Sequence, residues 1–178
     1  MKVFQPKRLK ELFNERGWHV QPSFLEREYV LKIKEFLSRR RKRLSKLFEE
    51  WAGSSLREEG AYAFHQQRIA DYEKVGIPKD LRHFLVGEFD LETRLDMRLI
   101  KLLLTPRSLN FIANFLNTKN FYVHYPPMIR FKLPNAPANL VPLHQDIAYS
   151  THLHDFITLW VPLVNIHEGC GGIIVYEG

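Results

Sequence analysis

Between Val141 and Ala148 the sequence reads Val-Pro-Leu-His-Gln-Asp-Ile-Ala, and the chemistry it offers lies in His144 and Asp146. On an extended strand successive side chains alternate faces, so residues two apart project together. His144 and Asp146 then share one face, with Leu143, Gln145 and Ile147 on the other. One imidazole and one carboxylate converging on a point supply two of the three ligands of a two-histidine, one-carboxylate facial site. Such a site holds Fe(II) from one side and leaves the opposite positions to a co-substrate and dioxygen. The same spacing also suits a buried, hydrogen-bonded His–Asp pair with no metal.

Other histidines widen the choice. His152 and His154 stand at His-x-His spacing in Ser150–Asp155, which on a strand would add nitrogen ligands for a Zn(II) or cupin-like centre. On a polar loop between strands they would instead lie near the mouth of a site. His167, before Glu168-Gly169, reads as a turn residue. Cys170 is the only cysteine, so it can form no intrachain disulfide, and no histidine at a telling spacing marks it as a nucleophile. There is no Walker-type phosphate loop, no Gly-x-Ser-x-Gly and no cysteine pair for zinc.

The elements that must position these residues fall in two halves of one predicted domain, residues 1–178. Residues 1–118 read as mainly helical. Across Leu25–Trp51 the apolar positions Tyr29, Ile33, Phe36, Leu37, Leu44, Leu47, Phe48 and Trp51 recur at spacings of three and four, the mark of a helix with one buried stripe. Ser23 is the predicted cap. Further helices are expected over Tyr62–Lys74, Leu91–Leu104 and Pro106–Leu116, the last with Pro106 in its first turn. Gly17–Pro22 reads as a turn and short strand. From residue 119 the texture turns β-branched and aromatic between Pro, Asn and Gly breaks, which predicts strands over Phe121–Tyr125, Met128–Lys132, Val141–Ile147, Phe156–Val164 and Gly172–Tyr176. Helices followed by strands predict an α+β fold.

From Met128 to Gly178 the sequence resembles the phytanoyl-CoA dioxygenase family of Fe(II)- and 2-oxoglutarate-dependent oxygenases. The residues that carry the likeness are Met128–Pro134, Pro142-Leu143-His144-Gln145-Asp146, Trp160-Val161-Pro162-Leu163 and Glu168–Val175. Gly17–Leu25, followed by a long helix, extends it toward the N-terminus. The resemblance implies N-terminal helices packed on a double-stranded β-helix, or jelly-roll barrel. It makes His144 and Asp146 iron ligands and places Met128, Gln145 and Trp160 beside 2-oxoglutarate. The implied partners are a small organic substrate and dioxygen. On the predicted strand Thr158, Trp160 and Pro162 face the cavity and Ile157, Leu159 and Val161 face away. The family's second iron-binding histidine and its 2-oxoglutarate arginine fall beyond Gly178. The expectation is therefore an incomplete barrel with an open sheet edge, inactive by itself, or a metal-binding remnant without catalysis.

Charge decides little about function. The formal net charge is +6, from 26 Lys and Arg against 20 Asp and Glu, and residues 1–50 hold 14 basic and 7 acidic side chains against 12 and 13 in the remainder. The run Arg39–Arg43 is the one candidate for a basic interaction module. It lies within the predicted helix and has no interleaved aromatics, so a solvated helix face is the expectation and no nucleic-acid partner is predicted. Arg130 and Lys132 are candidates to meet an anionic ligand. The N-terminus lacks the apolar stretch of a signal peptide, and Met97–Leu104 is too short and too charged to span a bilayer. A soluble, cytoplasmic protein follows as the expectation.

Overall fold

The computed structural model describes residues 6–52, 78–132, 141–148 and 156–177. Its helices are α1 (Pro6–Arg16), α2 (Arg27–Ala52), α3 (Lys79–Leu85), α4 (Leu91–Arg94), α5 (Met97–Leu103) and α6 (Pro106–Leu116). The chain folds as two units, one of residues 1–43, 89–129 and 173–178, the other of residues 44–88 and 130–172.

In the first unit α2 turns Ile33, Phe36 and Leu37 inward, and all three are buried with Leu25, Phe89, Leu99, Ile112 and Phe115. The three-and-four spacing of these positions places them on one side of the helix, so burying that side removes a continuous apolar stripe from water. Edge-to-face ring pairs add to it, Phe13 with Phe115 at 5.1 Å and Phe24 with Phe111 at 5.4 Å between centroids. Each end of α6 is closed by the residue beside it. The Thr105 hydroxyl accepts from the Ser108 amide at 3.2 Å, Pro106 fills the first turn, and Asn117 ends the helix in the left-handed region at φ 54°.

In the second unit the inward side of the last turns of α2, Leu44 and Phe48, is buried with Leu81, Phe84 and Leu85 of α3. The Phe48 and Phe84 rings lie 6.2 Å apart and the Phe84 and Phe131 rings 5.6 Å apart. Phe131 donates its amide to the Gly87 carbonyl at 2.8 Å, beside the bridge pair Glu88–Arg130. Glu88 also lies against two side chains, with Arg130 Nε at 3.3 Å and His83 Nδ1 at 3.4 Å.

The α+β expectation is overturned. Among the described residues the pair Glu88–Arg130 is the only strand-like pairing, and no sheet, jelly roll or double-stranded β-helix forms. The predicted strands 121–125, 128–132, 141–147, 156–164 and 172–176 form no ladder. β-branched and aromatic residues favour extended dihedrals locally, but a strand also needs a neighbour's amides and carbonyls, which composition does not supply. Residues 125–127 find other partners: Arg94 Nε donates to the Pro127 carbonyl at 2.9 Å and the Tyr125 hydroxyl donates to the Leu95 carbonyl.

The helices were better read, with three corrections. Ser23 caps nothing; it sits in a turn at φ 53°, and it is the Glu26 carbonyl that receives the first amides of α2, from Tyr29 and Val30. The predicted helix over 91–104 is two helices, because Asp96 leaves the helical path and caps α5 with its side chain. Helix α3 lies in a stretch for which no element was predicted, and the Tyr62–Lys74 expectation lies outside the described residues.

Candidate metal centre

His144 and Asp146 are brought together, though by a turn and not by a strand. Residues 141–145 are irregular and Asp146–Ala148 form one turn of 3-10 helix, in which the Ala148 amide donates to the Gln145 carbonyl at 2.9 Å. The His144 ring folds back on its own segment, with Nδ1 2.7 Å from the Pro142 carbonyl oxygen. Its other nitrogen, Nε2, lies 3.4 Å from Asp146 Oδ1.

A carbonyl oxygen only accepts, so Nδ1 donates to Pro142, and Nε2 is the ring nitrogen turned toward the Asp146 carboxylate, an ion pair when the ring is protonated. A histidine whose Nδ1–H is tied to a backbone carbonyl, leaving Nε2 for the metal, is the arrangement metal-ligating histidines commonly have. The pair is accessible as well, with the side chains 30% and 46% exposed.

The other predicted site residues are less concentrated. Gln145 is exposed and contributes its carbonyl to the turn. Trp160 is half exposed, and its neighbour Leu159 is almost equally so, which removes the predicted alternation of an inward Thr158–Trp160–Pro162 face and an outward Ile157–Leu159–Val161 face. Met128 is exposed and belongs to the first unit. His152 and His154 lie outside the described residues. His167 stands at a turn, closed by the Cys170 amide on the His167 carbonyl at 3.0 Å, and its Nδ1 donates to the Glu168 carbonyl at 2.8 Å. Among the described residues no group of three or more His, Cys, Asp or Glu side chains is gathered for a metal. Arg130, a candidate for an anionic ligand, is committed to Glu88.

The basic run is also less solvated than predicted. Arg40, whose side chain is 17% exposed, binds Glu92 at 2.9 Å and Asp96 at 3.0 Å. Arg43 binds Glu92 at 2.8 Å and lies 3.6 Å from the buried Asp90, while Arg39 pairs with Glu35 one turn away. Sequence reading missed these acidic partners. The spacing of Asp90, Glu92 and Asp96 was a visible signal, but nothing local connects it to α2.

Compared with family models, with curated proteins and with solved structures, the chain has no match. Among the described residues no helix is long and apolar enough to cross a membrane.

Proposed function

We propose that this chain binds the iron of a non-haem Fe(II)- and 2-oxoglutarate-dependent oxygenase through His144 Nε2 and the Asp146 carboxylate. The observation that carries the reading is the meeting of a carbonyl-oriented imidazole nitrogen, Nε2, and a carboxylate oxygen across 3.4 Å. Imidazole and carboxylate are the two donor types that a facial Fe(II) site uses, so the residues fit the metal. The motif resemblance around His144–Asp146 supports the choice of iron over other divalent ions. The reading does not call on a barrel: the segment that holds both donors closes on itself.

Iron bound with 2-oxoglutarate and dioxygen would supply the oxidising chemistry, one oxygen atom of the dioxygen entering a substrate C–H bond and the other entering the succinate formed as 2-oxoglutarate loses carbon dioxide. The protein's part is to hold and orient. Pro142 holds the imidazole through its carbonyl, and the 3-10 turn holds the carboxylate opposite. Gln145 and Trp160, in the same unit and open to solvent, offer an amide and a flat apolar face to a small dicarboxylic acid.

Anaerobic calorimetric titration with Fe(II), repeated with Mn(II) to allow detection by electron paramagnetic resonance, tests the reading in the intact chain. His144→Ala and Asp146→Ala should each weaken metal binding by at least tenfold, with helical circular dichroism unchanged. Succinate release should depend on both residues. Metal affinity equal in wild type and both variants would refute the site. Binding that depends on both residues without succinate release would refute the oxygenase and leave a metal-binding protein.

A further inference from the structure

A second feature, outside the metal pair, gathers four guanidinium groups around one hollow. Phe36, Arg39, Arg40 and Arg43 of α2 and Arg98 of α5 line a concavity of about 310 Å³ within the first unit. Each guanidinium has a carboxylate beside it: Arg39 pairs with Glu35 on the same helix, and the carboxylates from beyond α2 are of two kinds. Asp90 is fully buried and Asp96 nearly so, and of the two it is Asp96 that holds guanidiniums by hydrogen bonds. Asp96 takes hydrogen bonds from Arg40 Nη2 at 3.0 Å and from Arg98 Nη2 at 2.6 Å, while Asp90 lies 3.6 Å from Arg43 Nη2. Arg40 and Arg98 also flank the Phe36 ring, at 5.4 and 5.6 Å from its centroid. Arg40 and Arg98 are thereby held in place before any ligand arrives.

Glu92 is of the other kind. Its side chain is 57% exposed, yet its carboxylate spans two of the guanidiniums, taking Arg40 Nη1 at 2.9 Å on Oε1 and Arg43 Nη2 at 2.8 Å on Oε2. A second Arg43 nitrogen, Nη1, approaches Oε1 at 3.4 Å, so Arg43 grips the carboxylate with both prongs of its fork. This is the geometry by which arginine recognises carboxylates and phosphates.

We propose that the arginine-lined hollow of α2 and α5 binds a small soluble phosphorylated anion, and that the Glu92 carboxylate occupies the anion's place until it arrives. A phosphate dianion brings twice the charge of the carboxylate it displaces, to guanidiniums of which two, Arg40 and Arg98, are already ordered by Asp96. A guanidinium has five N–H donors, so the arginines can serve a tetrahedral group without releasing their anchors. The hydrogen bond from Arg43 holds the Glu92 carboxyl below its ordinary value, so at neutral pH the stand-in is fully charged and competes.

Pyrophosphate is the probe, titrated calorimetrically into chelator-treated, metal-free protein at low ionic strength, so that no cation bridges ligand and protein. Wild type should bind saturably. Glu92→Gln, at an exposed position, should bind about three- to tenfold more tightly because the competing charge is gone. Adding Arg43→Lys to Glu92→Gln keeps the charge and removes the fork, and should reverse that gain. Circular dichroism confirms that both variants fold. The proposal is overturned if Glu92→Gln shows no saturable binding, or if the double variant binds as tightly as Glu92→Gln, which would mean diffuse attraction to a basic surface. Binding to phosphatidylcholine vesicles containing phosphatidic acid, without competition by pyrophosphate, would overturn it in favour of a lipid surface.

Discussion

Replacing Asp96 separates two jobs that one side chain performs. Its Oδ1 caps α5 by accepting the Arg98 amide at 2.9 Å, and the carboxylate as a whole takes charged donors from Arg98 and Arg40. Asp96→Asn keeps a capping oxygen, since Asn caps about as well as Asp, and removes the charge. Asp96→Ala removes both. The exposed Arg98 pair is screened by solvent and adds little. The Arg40 bond, between two largely buried side chains, is worth about 1.5–3 kcal/mol as a charged hydrogen bond, and the cap adds about 1 kcal/mol. Asp96→Asn should therefore cost about 1.5–3 kcal/mol and Asp96→Ala about 1 kcal/mol more, read from urea unfolding at neutral pH. The pH dependence gives an independent check. Hydrogen bonds from Arg98 and then Arg40 hold the Asp96 carboxyl well below the usual carboxylate range. In the unfolded chain an aspartate titrates near about 3.9. The unfolded state thus binds the proton first as pH falls, and the stability Asp96 contributes is complete above about pH 5 and is lost progressively below about pH 4. The gap between wild type and Asp96→Asn should narrow over that acid range. Equal stability of the Ala and Asn variants would refute the cap, and a gap unchanged between pH 7 and pH 3 would refute the charge argument.

Two further expectations rest on the ends of α6. Thr105→Ala strips the buried cap from the Ser108 amide and should cost about 1–2 kcal/mol in urea unfolding, while Thr105→Ser should restore most of it. Asn117, at φ 54°, should accept Gly without loss, whereas Asn117→Val forces a β-branched residue into the left-handed region and should lower stability by about 1–2 kcal/mol; equal stability of the Gly and Val variants would contradict the assigned backbone.

The helices were legible because their signals are local. Three-and-four spacing marks α2, and Thr105-Pro106 followed by Asn117 marks both ends of α6. Where a local signal was read without its competitor, the expectation failed: Asp96 was taken as one more residue of a long helix, although an aspartate also competes for backbone amides and so ends or begins helices. Helix α3 carries the same kind of signal, Pro78 followed by Leu81, Phe84 and Leu85. Strands are a different matter. The runs after residue 119 have strand composition, but pairing is a relation between distant segments that no window of sequence contains. The arginine partners were hidden for the same reason, since Arg40 and Arg43 meet Asp96 and Glu92 across separations of 56 and 49 residues.

The metal pair depends on less of the fold than its resemblance implied. On a flat strand the convergence of His144 and Asp146 would follow from the two-residue alternation, and with the strand gone that argument is gone too. What replaces it is shorter in range. Asp146 begins a 3-10 turn and His144 precedes it, so the two do not share a helical face by periodicity; the imidazole reaches the carboxylate because its Nδ1–H is drawn back to the Pro142 carbonyl. The contacts that bring the two together, Nδ1 to the Pro142 carbonyl and Nε2 to Asp146 Oδ1, lie between residues 142 and 146, so the absence of a sheet among the described residues takes away the strand as the reason the two meet and puts a turn in its place.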